Sequence, residues 1–156
     1  MKIGLLTDYN LATHGGVQTS VHSLADGLIK IGHDVTVVMP QNKDHVEKGD
    51  FAFKVHVLDT QQLLRYDQHY PVIPTDEIIE EIADMQFDII HCHTMAGMAA
   101  VATELKRQHA IPLVQTMHEI WPEQIEHHSA LPIVNAFVFS VISSKLFKRK
   151  KMSDLE

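Results

Sequence analysis

Alternation of apolar runs with helical segments is the feature that most constrains how this sequence can fold. Four of the five short β-type runs are rich in Ile, Val and Leu and show little polar alternation, as expected of strands buried on both faces of a parallel sheet. The five predicted strands are Lys2–Thr7, Asp34–Met39, Phe53–Leu58, Phe87–Cys92 and Pro112–Met117. With helices between them, they predict βαβ units and an α/β fold, a Rossmann-like doubly wound parallel sheet.

Three helical segments are predicted from periodicity and capping residues. In the first, apolar residues recur at spacings of four and three, and Gly32 ends the segment. Thr75 and Thr94 are the predicted N-caps of the second and third helices, the third running through Arg107. The predicted inward-facing residues are Val17, Val21, Leu24, Leu28 and Ile31 in the first, Ile78, Ile79 and Ile82 in the second, and Met95, Met98, Ala102 and Leu105 in the third. Residues 40–50 and 59–73 are predicted loops.

Composition limits the class of protein. A chain of 156 residues that is 45% apolar can bury one sizeable core, so residues 1–156 are expected to form a single domain. A formal charge of −7 argues against a general nucleic-acid binder. A single cysteine excludes an internal disulfide and fits a reducing compartment. Without a signal-peptide pattern or a run of about 18–20 apolar residues, we expect a cytoplasmic protein.

Ligands of doubly wound sheets bind at the carboxyl ends of the strands, near the topological switch point. The residues predicted there are Asp8–Gly16, His93-Thr94 and His118-Glu119. The pair Gly15-Gly16 opens a helix but matches neither the G-x-G-x-x-G fingerprint nor the P-loop, and its loop is too long for a tight dinucleotide turn. An uncrowded helix N-terminus that binds a phosphate is one interpretation. The alternative is that the glycines only permit an awkward turn.

Histidines are numerous, twelve in all, and the run His91-Cys92-His93 suggests zinc. In an extended strand, however, the two histidines point to one face and the cysteine to the other, so no metal site is predicted. His91 is interpreted as a core histidine, whereas His93 and His118, both at strand ends, are candidates for ligand contact. A Ser/His/Asp or Cys/His nucleophile arrangement has little support, because no G-x-S-x-G elbow is present and Cys92 is expected to be buried and inert.

A basic cluster, Lys145–Lys151, follows an almost continuous apolar run near the end of the chain. This segment could cover the sheet, pack against another domain, or lie on an anionic membrane surface. Residues 131–151 are therefore a candidate for peripheral membrane contact. The alternative is a solvated helix end whose charges suit the macrodipole.

Two long stretches resemble one enzyme family. "MKIGLLTDYNLATHGGVQTSVHSLADGLIKIGHDVTVVMP" is similar to the start of retaining glycosyltransferases of the GT-B fold, family 4 (the group 1 transferases). These begin with a strand, a loop ending Gly-Gly-Val/Ile-Glu/Gln, a helix and Gly-His-x-Val. "FDIIHCHTMAGMAAVATELKRQHAIPLVQTMHE" resembles their next signature, Asp-x-x-His-x-His, a helix and Pro-x-Val-x-Thr-x-His. The three motifs occur in the right order over nearly the whole chain.

This resemblance implies a role for each matching residue. Gly15 and Gly16 would face the diphosphate of a nucleotide-sugar donor, a UDP- or GDP-sugar, and His118 would be the catalytic contact to the donor sugar. The residues implied on the acceptor or sugar side are Tyr9, Asn10, His14, His93 and Glu119. No metal and no cofactor are implied, and the expected transition state is oxocarbenium-like with a stabilised leaving diphosphate.

One departure from the family is the missing second domain. Such transferases have a further Rossmann-like domain that carries diphosphate-neutralising cations and a Glu-x7-Glu motif, and neither fits within these 156 residues. We therefore expect an N-terminal, acceptor-side domain that is inactive alone. The whole enzyme would transfer a hexose to a lipid at the inner face of the plasma membrane, or to a cytosolic acceptor. The alternative is a non-enzymatic Rossmann-like module that binds a nucleotide or sugar phosphate.

Overall fold

The computed structural model describes residues 1–41, 51–59, 72–95 and 97–118. They form a parallel five-stranded sheet of order β3-β2-β1-β4-β5. The strands are β1 Lys2–Leu6, β2 Asp34–Gln41, β3 Lys54–Asp59, β4 Ile89–Cys92 and β5 Leu113–Gln115. The helices are α1 Gly16–Lys30, α2 Asp76–Ala83 and α3 Gly97–His109. The predicted strands and the α/β class are confirmed, with shifts of one to two residues at most strand ends.

The chain reverses its direction of travel across the sheet next to β1. It moves outward from β1 to β2 and β3, then crosses over to β4 and β5 on the other side. Leu6 is paired with Cys92, and the His93 amide extends this pairing by donating to the Leu6 carbonyl at 2.8 Å. The carboxyl ends of β1 and β4 therefore form the topological switch point, where ligands of such sheets bind.

Two apolar layers cover the sheet, one on each face. Alternation along β1 sends Leu5 to the layer under α1, where Val21 and Ala25 are fully buried. Leu6 packs in the other layer with residues of α2 and α3. Each fully buried side chain of this size contributes about 1.5–3 kcal/mol, so both layers hold the strand ends in fixed positions.

Helix ends confirm some predictions and correct others. Gly32 has a φ of 90°, the left-handed conformation that ends α1. Thr75 caps α2 by accepting a hydrogen bond from the Ile78 amide at 3.4 Å. Ile31 was predicted to face inward and is instead 71% exposed, because α1 ends at Lys30.

The predicted N-cap of α3 was wrong. The Thr94 hydroxyl donates to the Asp8 carboxylate at 2.5 Å, and α3 begins only at Gly97. Met95, which was predicted to line this helix, lies before it and is 40% exposed. A Cβ on Gly97 would overlap the Val72 carbonyl, so glycine permits this close approach of two backbones.

Several predicted features lie outside the described residues. These are Glu119, the segment 131–151 with its basic cluster, and most of the loops predicted over 40–50 and 59–73. Among the helices that the structure describes, none has the length and apolar character needed to cross a membrane.

Candidate functional site

Helix α1 starts at the switch point without a side-chain cap. Gly15 is its N-cap, in an extended conformation with φ −178° and ψ 170°, and makes no side-chain hydrogen bond. No acidic residue lies in the first turn, and the first intrahelical bond runs from the Thr19 amide to the Gly15 carbonyl at 2.9 Å. The N–H groups of a first helical turn have no intrahelical acceptor and carry partial positive charge. This end of α1 can therefore receive an anion.

The other two described helices start differently. Helix α2 has the Thr75 cap and two acidic residues, Asp76 and Glu77, in its first turn. At the start of α3, the Met98 amide donates to the carboxylate of Asp8, at 3.1 Å to Oδ1 and 3.2 Å to Oδ2. The protein thus supplies its own oxygen acceptors to α2 and α3. Helix α1 differs from both, because its N-cap is a glycine without a side-chain cap hydrogen bond and its first turn has no acidic residue.

Asp8 has a structural role that the sequence did not predict. It was placed with the ligand-binding edge, yet its side chain is fully buried and accepts hydrogen bonds from Thr94, Met98 and Val72. The carboxylate therefore fixes the start of α3 next to the end of β1. A signal was available, since an acidic residue directly after a buried strand requires partners.

The loop between β1 and α1 is held by its own polar groups. The Asn10 side-chain carbonyl accepts from the Ala12 amide at 2.9 Å, and the Asn10 main-chain carbonyl accepts from the Thr13 hydroxyl at 2.6 Å. Gln18 of α1 donates to Thr13 Oγ1 at 3.0 Å, which joins the loop to the first turn of the helix. With 2% exposure, Asn10 shapes the loop, and its implied acceptor contact stays a prediction.

Two further contacts fix the middle of this loop. The Leu11 amide donates to Met39 Sδ at 3.3 Å, and the Leu11 carbonyl is 3.2 Å from His22 Nε2 on α1. Tyr9 is half-buried and packs on the core under α1, whereas His14, Gly15 and Gly16 are exposed. The exposed tip of the loop is therefore the part that can contact a ligand.

Three histidines form a stack at the same edge: His91 in β4, His93 directly after β4, and His118 three residues after β5. The rings of His91 and His93 are 4.2 Å apart between centroids, and those of His93 and His118 are 5.3 Å apart. His93 Nδ1 lies 3.0 Å from His118 Nε2, and His91 Nε2 lies 2.7 Å from Thr116 Oγ1. His93 and His118 both lie beyond the carboxyl ends of strands, and the structure brings their side chains into contact. His91 bonds a hydroxyl rather than the backbone and is only half-buried.

Burial determines the pKa values of the histidines His91 and His93. It lowers the pKa of His93 to about 3, with the charges of His91 and His118 as smaller causes. Burial likewise lowers the pKa of His91. Cys92 lies on the opposite face, fully buried among residues of the α2–α3 layer, and burial raises the pKa of its thiol to about 11. The predicted division of faces and the burial of Cys92 are confirmed.

Comparisons with known proteins agree with the motifs. The model of Glycosyltransferase Family 4 matches residues 14–146. The chain is 26% identical over 134 residues to an alpha-monoglucosyldiacylglycerol synthase of Acholeplasma laidlawii, covering 84% of the chain and 33% of that enzyme. It is 28% identical over 123 residues to a phosphatidyl-myo-inositol mannosyltransferase of Mycolicibacterium smegmatis, covering 76% of the chain and 31% of that enzyme.

A third relative is an alpha-monoglucosyldiacylglycerol synthase of Streptococcus pneumoniae, 25% identical over 127 residues, or 81% of the chain and 29% of that enzyme. The chain thus spans about a third of the length of the curated relatives it matches. Among solved structures, the C-terminal domain of a Pyrococcus furiosus hydrogenase shares the fold, with a TM-score of 0.52, 16% identity, and coverage of 74% of this chain and 90% of that domain. The chain belongs to Glycosyltransferase Family 4 and has the fold of the N-terminal half of a GT-B glycosyltransferase.

Proposed function

We propose that this chain is the acceptor-side domain of a retaining glycosyltransferase that moves a hexose from a nucleotide-sugar, a UDP- or GDP-sugar, to a lipid. The observation that carries the proposal is the start of α1. Its N-terminus opens at the switch point with a glycine cap and no acidic residue, while the starts of α2 and α3 receive oxygens from the protein itself. A donor diphosphate would accept hydrogen bonds from the exposed start of that helix, at Gly15 and Gly16.

The strength of such a contact is limited. A negative charge at a helix N-terminus gains about 0.3–1 kcal/mol when exposed, and up to about 2 kcal/mol when partly buried. Since 1.4 kcal/mol corresponds to a tenfold change in affinity, this helix alone would bind a diphosphate weakly. Tight binding and stabilisation of the leaving group therefore require cations from a second domain, which is why the isolated chain is proposed to be inactive.

In this proposal the histidine pair contacts the sugar side of the reaction. His118 is half-buried and lies three residues after β5, and its ring can meet the donor sugar while the diphosphate lies at Gly15 and Gly16. The exposed loop tip with His14, and the half-buried Tyr9, would face the acceptor. The donor is a substrate, and no resident cofactor is invoked.

A lipid acceptor is favoured by what the relatives are named for. Two are monoglucosyldiacylglycerol synthases and the third is a phosphatidyl-myo-inositol mannosyltransferase. We extend this to a cytoplasmic protein that acts at the inner face of the membrane, with residues 131–151 as the proposed contact.

Two glycines of α1 provide a matched test of the phosphate contact. A Cβ on Gly16 or on Gly27 would have no atom within 4 Å, so alanine fits at both positions and neither fold nor stability should suffer. At Gly16, however, the added methyl group enters the space proposed for the diphosphate. Amide chemical shifts would be followed while UDP-glucose or inorganic pyrophosphate is added to each variant. We expect shifts at residues 15–18 in wild type and Gly27→Ala, reduced at least about threefold in Gly16→Ala; equal responses would contradict the proposed site.

Membrane contact and activity are tested separately. Sedimentation with anionic vesicles at low salt should carry the chain down, and binding should weaken as salt screens the charges. Incubation with UDP- or GDP-hexose and diacylglycerol vesicles should give no glycolipid. Absence of vesicle binding would count against the lipid acceptor, and glycolipid formation would refute the proposed inactivity of the isolated chain.

A further inference from the structure

The contact between His93 and His118 allows only two arrangements of protons. Because the separation of His93 Nδ1 and His118 Nε2 is 3.0 Å, one of these nitrogens donates and the other accepts. His93 is 2% exposed and neutral at physiological pH, since burial keeps its pKa at about 3. A neutral imidazole has one N–H and one bare nitrogen. The position of the His93 proton therefore decides the position of the His118 proton.

The other nitrogen of His93 distinguishes the two arrangements. His93 Nε2 is buried and has no hydrogen-bond partner among the described residues. If His118 donated to Nδ1, the His93 proton would sit on Nε2 as a buried N–H without an acceptor. If His93 donates through Nδ1, Nε2 keeps only a bare lone pair. Among buried backbone groups, an N–H without an acceptor is rarer than an under-satisfied acceptor, and the same preference applied to this imidazole favours donation by His93.

Neighbouring contacts hold the His93 ring in this orientation. The His91 ring stacks on it at 4.2 Å, and His91 is in turn 2.7 Å from the hydroxyl of Thr116, the residue after β5. The His93 amide is also fixed, since it donates to the Leu6 carbonyl of β1. The donor of the pair is therefore part of the sheet, whereas His118 follows the last residue of β5 by three positions.

We propose that His93 is a positioning residue that donates from Nδ1 to Nε2 of His118 and thereby fixes neutral His118 as the Nδ1–H tautomer. His118 then offers an N–H to an oxygen of the ligand, such as a sugar hydroxyl, and cannot act there as an acceptor. This inference rests on the proposed function in assigning the ligand contact to His118. It replaces direct acceptor contact by His93 with an action through His118.

The tautomer can be measured without any sugar transfer. Imidazole nitrogen chemical shifts, recorded at about pH 8 where ordinary histidines are neutral, distinguish Nδ1–H from Nε2–H. In wild type, His118 is expected mainly in the Nδ1–H form, because the other arrangement leaves a buried N–H of His93 without an acceptor. A wild-type His118 that is mainly Nε2–H would overturn the proposal without need of any variant.

Three variants separate the hydrogen bond from the ring stack. His93→Phe keeps a ring in the stack but cannot donate, so His118 should revert to Nε2–H, the form that free histidine side chains prefer. His93→Asn places an amide N–H near the position of Nδ1 and should retain the wild-type tautomer. His91→Phe, on the same strand face, should leave it unchanged. Retention of Nδ1–H in His93→Phe, or reversion in His93→Asn or His91→Phe, would contradict the proposal.

Adding UDP-glucose to the same samples distinguishes a failure of the tautomer proposal from a failure of the proposed donor site. Shifts at Gly15 and Gly16 report the diphosphate contact, whereas the nitrogens of His118 report the tautomer. Loss of the former with an intact Nδ1–H tautomer would refute the donor site and leave the positioning role. The opposite result would refute the positioning role alone.

Discussion

Replacing Asp8 with alanine removes an acceptor that three buried groups share. The amides of Val72 and Met98 and the hydroxyl of Thr94 all donate to this carboxylate, at distances of 2.5 to 3.2 Å. The donors are 3%, 0% and 6% exposed for Val72, Met98 and Thr94 respectively. Alanine would leave them without this acceptor in a place that water reaches poorly.

The expected destabilisation follows from these contacts. Each buried donor left without an acceptor costs about 1–3 kcal/mol, so Asp8→Ala should lower the free energy of unfolding by at least about 3 kcal/mol. Asparagine keeps one oxygen for the two amides, and the Thr94 hydroxyl can rotate to accept from its NH₂ group. Only the charge is then lost, and since charged hydrogen bonds are about twice as strong as neutral ones, we expect a loss of about 1–2 kcal/mol for Asp8→Asn.

Urea unfolding followed by far-ultraviolet circular dichroism measures the free energy of unfolding of both variants. The values can be compared directly where the variants share the same dependence of this free energy on urea concentration. Thr75→Ala is the control, since it removes an oxygen from the start of α2 at a half-buried position and should cost about 1 kcal/mol. If Asp8→Ala lowers the free energy of unfolding no more than Thr75→Ala does, the buried carboxylate stabilises the fold no more than an ordinary helix cap. If Asp8→Asn costs as much as Asp8→Ala, the charge rather than the number of acceptors stabilises the fold.

Two further predictions concern titrating groups. The pKa of His93 is about 3 in the folded protein and about 6.5 when unfolded; the unfolded chain thus binds more protons below about pH 6.5, and stability falls as pH falls toward 3. Between about pH 6 and 5 the wild type should lose about 1 kcal/mol more than His93→Phe in urea titrations, and parallel curves would contradict this. Because burial raises the pKa of the Cys92 thiol to about 11, Ellman's reagent should modify it at about pH 8 only as the chain unfolds; rapid modification without urea would refute its burial.

Elements whose signals are local could be predicted from the sequence. Strands such as Asp34–Met39 are rich in valine with little polar alternation, because both faces of a parallel strand are covered, and that pattern needs no knowledge of the neighbours. The Thr75 cap is similarly local, since its acceptor oxygen and the Ile78 amide are three residues apart. Thr94 has the same local signal for an N-cap but does not cap α3. Its hydroxyl instead donates a hydrogen bond to Asp8, which is 86 residues away.

In the candidate site, too, the local features could be predicted from the sequence and the long-range contacts could not. Motif order and strand ends predicted that Gly15, Gly16, His93 and His118 belong to one edge of the sheet. The hydrogen bond between the two histidines depends on β4 and β5 being neighbours and on their register, in which Cys92 faces Gln115. Register and strand order are long-range properties, so the sequence predicted proximity and could not predict which nitrogen donates.

The glycine N-cap of α1 lowers the stability of the fold only slightly. A glycine N-cap is only a few tenths of a kcal/mol less favourable than Ser, Asn or Asp, so the fold tolerates glycine at position 15. What must be ordered instead is the loop that presents this helix end, and Asn10, Leu11 and His22 do so through contacts inside the protein. Since the loop is already fixed before an anion arrives, little conformational entropy remains to be lost on binding. Under the proposed function, weak binding by this chain would reflect the small charge of a single helix end, and the proposed second domain would add affinity by supplying cations rather than by ordering the loop.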